Sequence, residues 1–190
     1  FNTAKTLEIL AAGVSLATTQ VQYSLLDARP ERQLIPACRE HGLQLLCYGT
    51  LAGGFLTDRW LGASAPSLLE NRSLTKYRLM IDEAGGWDLF QSLLGVLKGI
   101  ADRHATSIGT VACRWVLDRP QVAAIIVGAR NTRHLDRYDD VFRIALDRDD
   151  LDKLEQLRAE MRRPELDVFD LERDRSGRHG RIMKYNLNSG

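Results

Sequence analysis

The chain has 190 residues, enough for one domain or for a part of a larger one. Its apolar fraction of 44%, charged fraction of 27% and net charge of +1 are those of an ordinary globular protein, and they give no electrostatic reason to expect nucleic acid or an acidic membrane surface as a partner. No stretch is apolar over the roughly 18 residues that a membrane span needs, and no signal peptide is visible.

Cys38, Cys47 and Cys113 are scattered singles without metal or redox spacing. They are read as small buried hydrophobes, which suits a reducing, cytoplasmic setting. The first residue is Phe1 and not Met, so further sequence is expected upstream.

Asn2 or Thr3 is placed to cap a short helix that runs through Leu10 and stops near Gly13. Residues 18–24 read as a strand with Val21 and Tyr23 on one face and Gln20 and Gln22 on the other. A turn around 27–30 leads into a helix that ends at His41-Gly42, with Pro36 in or near its first turn. Residues 43–48 form a second strand, apolar enough to be buried and parallel. A long irregular βα loop is expected over 49–86. Its many apolar side chains, Trp60 among them, suit a functional lid better than a spacer.

Helices are predicted over 87–104, where Phe90, Leu93, Leu94, Leu97 and Ile100 recur at three- and four-residue steps, and from a Thr106/Ser107 cap to just before Pro120. A third strand covers 122–127. Two further helices follow at about 132–144 and 149–162, and then a charged tail, 164–190, with little periodicity. The order is therefore αβαβ-loop-ααβαα, which implies parallel βα units. Three strands close neither a barrel nor a doubly wound sheet, so the sheet is expected to be completed by something outside these residues.

Two strand ends stand out chemically. Val122–Val127 breaks at Gly128-Ala129-Arg130, and 43–48 runs into Gly49-Thr50-Leu51-Ala52-Gly53-Gly54. A glycine-rich strand end opening a helix presents free N–H groups and a helix dipole, a natural cradle for a nucleotide phosphate.

The segments Gln20-Val21-Gln22-Tyr23-Ser24-Leu25-Leu26, Leu46-Cys47-Tyr48-Gly49-Thr50-Leu51-Ala52-Gly53-Gly54, 107–117 and Ile125-Ile126-Val127-Gly128-Ala129-Arg130 occur in an order and at spacings that resemble the C-terminal part of an aldo-keto reductase. The resemblance covers roughly residues 1–160. It implies an α/β fold that is an incomplete TIM (β/α)8 barrel: three parallel strands, the sixth to eighth of the ring, with surrounding helices over 1–163. It also implies NADP(H) as cofactor, an aldehyde or ketone as the small-molecule carbonyl substrate, and the missing N-terminal part of the barrel, on this chain or a partner chain, as the completing piece.

The same resemblance assigns Gln20 to the nicotinamide carboxamide and Tyr48 to stacking on the nicotinamide ring. It places Gly49, Thr50, Leu51 and Gly53 along the pyrophosphate and Gly128, Ala129 and Arg130 at the adenosine phosphate, with His134 as a further cofactor contact. An arginine fork suits a doubly charged 2′-phosphate, hence NADP over NAD. Plain readings stand beside these: Gln20 on a solvated strand face, Tyr48 in the core, Gly53-Gly54 as a mere turn, Arg130 and His134 as surface residues.

No residue matches the family's catalytic Asp, Tyr, Lys and His tetrad, so no catalytic residue and no metal ligand is assigned. Arg137-Tyr138 replaces the family's usual acid-Asn pair near the adenine. Two functions follow from the resemblance. One is the cofactor-binding part of a reductase that is inactive as residues 1–190 alone. The other is a truncated non-catalytic subunit with a structural or nucleotide-sensing role in a larger assembly.

Overall fold

The computed structural model describes residues 1–128 and 138–183. In chain order the elements are α1 (Thr3–Ala11), β1 (Thr18–Gln22), α2 (Leu34–His41), β2 (Gln44–Tyr48), α3 (Arg72–Ala84), α4 (Trp87–Arg103), α5 (Ile108–Leu117), β3 (Val122–Ile126), α6 (Asp140–Arg143), α7 (Arg148–Glu160) and α8 (Asp170–Arg173). The strands form one parallel sheet in the order β1-β2-β3. Gln20 pairs with Leu46 and Gln22 with Tyr48, while Tyr48 pairs with Ile126 across a register shift at Leu45/Leu46. This is the three-stranded, unclosed arc that the sequence predicts.

The local causes are plain. The Asn2 side chain accepts from the Lys5 N–H at 3.1 Å and starts α1, and Ser107 does the same for Thr110 at 3.2 Å at the head of α5. At the start of α7, Asp147 and Asp150 exchange side-chain and backbone bonds in a capping box. The Asp150 side chain, closed to solvent, also takes Arg103 and His104 from α4, so that cap ties two helices together.

One face of the sheet carries the core. Val21, Leu45 and Cys47 are buried against Leu93, Leu94, Leu97, Val111 and Trp115 of α4 and α5. The opposite row differs: Thr18 and Gln20 are exposed, Leu46 and Tyr48 half-buried, and Ile126 is 42% exposed. In a closed barrel this row would face inward. Cys38, Cys47 and Cys113 are all buried thiols, pushed up by burial to about 11, 12 and 11, and so chemically quiet.

One segment differs from the sequence-based expectation. The stretch 49–86 is not irregular throughout. From Arg72 to Ala84 it is helical, with Asn71 capping Leu74 at 3.0 Å and Met80, Ile81 and Ala84 buried. Trp60 packs on Phe55 (centroids 4.9 Å apart) and Trp87 (5.8 Å), partly buried against the core.

The charged tail, open from sequence alone to either a pocket-shaping or a solvated, partner-binding role, is folded back on the chain. The Asp167 carboxylate accepts from the Thr3 N–H at 2.7 Å and from its hydroxyl at 2.8 Å, and Asn2 donates to Asp170 at 2.9 Å. Val168 is buried, and buried His179 meets Glu83 at 2.9 Å. The tail thus returns to the start of the chain.

Candidate cofactor site at the strand ends

β1 and β2 run parallel and in register, so Gln20 and Tyr48 project from the same face of adjacent strands. Both line a cavity of ≈ 450 Å3, together with Phe1, Thr6 and Ile9 of the first turns and Phe169 of the tail. Burial first, and then the nearby Glu172, Tyr77 and Asp27, push the Tyr48 hydroxyl up to about 12. It therefore stays protonated at neutral pH and offers an uncharged ring face, which is what stacking on a flat heterocycle requires.

The glycine turn that follows β2 has a specific steric situation. Gly49 has φ +70° and Gly53 φ +66°, a region where side chains are strained. A Cβ at Gly49 would lie 2.5 Å from the Tyr77 hydroxyl, and one at Gly53 would lie 2.7 Å from the Tyr77 ring. The space those glycines leave is thus filled by Tyr77 of α3. Thr50 turns its hydroxyl inward, 3.8 Å from the Cys113 Sγ, so it can offer a ligand only its backbone. Leu51 is half-buried and packs against the core.

Gly128 follows β3 at the surface, and its carbonyl accepts from the Tyr138 hydroxyl at 2.9 Å. Ala129, Arg130 and His134 lie outside the described residues. Among the described residues no cluster of His, Cys, Asp or Glu could hold a metal ion.

Above the Gln22–Tyr48 pair sits a buried ion cluster that the sequence did not announce. The Arg29 guanidinium donates to Asp27 (Nε to Oδ1 2.9 Å, Nη2 to Oδ2 2.8 Å) and to Glu172 of the tail (Nη1 to Oε2 3.0 Å, Nη2 to Oε1 2.9 Å). Lys76, next to Tyr77, reaches the same Glu172 Oε1 at 3.1 Å. Burial alone would raise the Glu172 carboxyl, but the bonds and charges of Arg29 and then Lys76 outweigh it and hold the group at about 2. Asp27 also accepts from Gln22 Nε2 at 2.6 Å, which fixes that amide's orientation. Its Oε1 is left buried and without a partner among the described residues.

Gln22 was recognisable as a neighbour of Gln20 two positions along the same strand face. Glu172 and Arg29 were not, because they meet across 143 residues of sequence.

The aldo/keto reductase family model matches residues 1–159. The chain belongs to the aldo/keto reductase family. Among its relatives, flagellar radial spoke protein 5 of Chlamydomonas reinhardtii is 34% identical over 113 residues, covering 57% of this chain and 21% of that protein. A Bacillus subtilis (strain 168) protein described as an uncharacterized oxidoreductase, YrpG, is 30% identical over 146 residues, 76% of this chain and 41% of the relative. The solved glycerol dehydrogenase AKR11B4 of Gluconobacter oxydans superposes with a TM-score of 0.70 at 22% identity, over 88% of this chain and 49% of that one. The chain thus spans less than half the length of these relatives. The structural likeness supports the fold: three parallel strands with flanking helices matching part of a TIM barrel.

Proposed function

We propose that this chain is the cofactor-binding C-terminal part of an NADP(H)-dependent aldo-keto reductase that reduces aldehydes or ketones. One observation carries the reading: Gln20 and Tyr48, on neighbouring strands, line one cavity at the open face of the arc. An amide beside an uncharged aromatic face fits a nicotinamide and its carboxamide, and the cavity of ≈ 450 Å3 is within the usual range for small-molecule sites.

When bound, the dinucleotide supplies hydride to the substrate carbonyl carbon. This chain's own residues bind and orient. The Gln20 amide sets the ring's rotation through the carboxamide, Tyr48 backs one face so that the other is presented, and Phe169 bounds the cavity from the tail side. The Gly49–Gly53 turn and Arg130 are assigned to the phosphates; the turn accepts them only where the Tyr77 ring yields. Tyr48 keeps its proton at neutral pH and does not serve as the acid; the proton delivered to the carbonyl oxygen is assigned to residues outside these 190, on the segment or partner that completes the barrel.

Residues 1–190 alone are expected to bind NADPH without turning over a carbonyl substrate. Fluorescence titration and a spectrophotometric assay test both halves of that statement, and NADPH-dependent reduction by the isolated chain would overturn the division of labour.

A second reading is a non-catalytic aldo-keto-reductase-like subunit, structural or nucleotide-sensing, within a larger assembly. It is favoured by the 34% identity to a protein described as a flagellar radial spoke protein. Failure of the chain to gain activity when joined to a tetrad-bearing barrel half, with binding retained, would favour it.

A further inference from the structure

Two aromatic side chains cover the two ends of the site, and they come from segments far apart in sequence. Phe169 precedes α8 with φ +67°, a conformation unfavourable for a phenylalanine, and it lines the Gln20–Tyr48 cavity. Tyr77 of α3 lies on Gly49 and Gly53. Each stands next to a member of the same ion cluster. Glu172 is three residues beyond Phe169, and Lys76 is the residue before Tyr77.

Glu172 accepts from Arg29 in two nearly parallel bonds, and its Oε1 also meets Lys76 at 3.1 Å. Arg29 is in turn fixed to the β1–α2 connection by Asp27. The glycines Gly85 and Gly86, both at positive φ, end α3 on its far side.

We propose that Glu172 is a positioning residue: one carboxylate, shared by Arg29 and Lys76, seats Phe169 at the cavity and Tyr77 on the glycine turn, so that the two ends of the site open together. The physical basis is that the buried carboxylate meets Arg29 and Lys76 together only when the tail and α3 are both in place. Lifting either one strands charge in a dry environment. The claim rests on the cofactor reading only for the ligand's identity; the coupling itself is a property of the chain.

The test is native-state hydrogen exchange on the 190-residue chain. Glu172→Gln, which keeps the shape and removes the charge, is expected to speed exchange in both 168–173 and α3 by at least about tenfold, the scale of one lost charge-assisted hydrogen bond. Lys76→Met, which leaves the Arg29 pair intact, is expected to release α3 alone, and it serves as the measurable variant should Glu172→Gln fail to fold. A response of only one segment to Glu172→Gln, or release of the tail with α3 unmoved by Lys76→Met, overturns the coupling.

Two fragment ligands read the functional consequence. Phe169→Ala is expected to change affinity for nicotinamide only, Tyr77→Ala that for inorganic pyrophosphate only, and Glu172→Gln both. A purely structural loss would not divide in this way. If the unaltered chain binds neither fragment while exchange behaves as stated, the cofactor reading fails and the coupling stands. If the fragments bind and exchange responds in one segment only, the coupling fails and the cofactor reading stands.

Discussion

A methyl group at Gly49 would have to share space with the Tyr77 hydroxyl, and it would do so at a backbone angle that side chains avoid. Gly49→Ala is therefore expected to destabilise by about 2 kcal/mol, measured by the urea midpoint, with strain and clash both contributing. In the double variant with Tyr77→Ala the clash disappears while the strain of about 1 kcal/mol remains, so the two contributions are separable by a double-mutant cycle. Arg130→Ala is expected to weaken NADP binding by about 1–3 kcal/mol, the range of a charged hydrogen bond, and to weaken NAD binding less; calorimetric titration decides. The sequence singled out Gly49 as part of a glycine turn, but it supplied only half the reason for a glycine there. Spacing pointed to close backbone approach. The ring that makes the approach, Tyr77, became visible only when α3 was folded against the turn.

At the level of elements, the tail and α3 were the least legible parts. The signal for α3 was present: Asn71 as cap, then Leu74, Tyr77, Met80, Ile81 and Ala84 at helical spacing up to Gly85. The aromatic and leucine-rich residues before it made the whole stretch look irregular. The tail had no such signal, since its order comes from Asp167 on Thr3, Asp170 on Asn2 and Glu172 on Arg29, pairs that no local pattern encodes. α4 and α5, by contrast, were plain from their apolar period, because a helix packed on a sheet must keep one stripe apolar whatever it meets.

The tail's attachment has a pH signature. Glu172 sits at about 2 in the folded chain against an ordinary 4.5, so its contribution is fully present above 4.5 and is lost as pH falls through that window. The size is about 3 kcal/mol. Exchange protection over 168–173 is expected to drop between about pH 4.5 and pH 2 before the core of α4 and α5 opens, and simultaneous loss of both would show that the cluster adds nothing of its own.

For the molecule as a whole, the three-stranded parallel arc was legible because strand number, alternation and two glycine-rich strand ends all followed from composition and spacing. The sidedness of the sheet was legible only in part. Val21 and Tyr23 are buried as predicted, yet Gln22, expected on a solvated face with Gln20, is almost fully buried beneath the ion cluster. A polar residue on the open row became interior because it is bonded to Asp27, whose partner Arg29 is held by chain from the far end of the sequence.

Where the tail is pinned makes shortening these 190 residues from residue 190 a stepwise affair. Deletions that stop after Met183 leave every described anchor in place. Those that pass His179 remove its contact with Glu83, and those that pass Glu172 strip Arg29 of half its ligands and leave Lys76 without its carboxylate. Thermal melts of a nested truncation series should therefore fall in discrete drops and not along a ramp, at His179, at Glu172 and again as Asp170 and Asp167 are lost. A purification handle belongs beyond the last of these anchors.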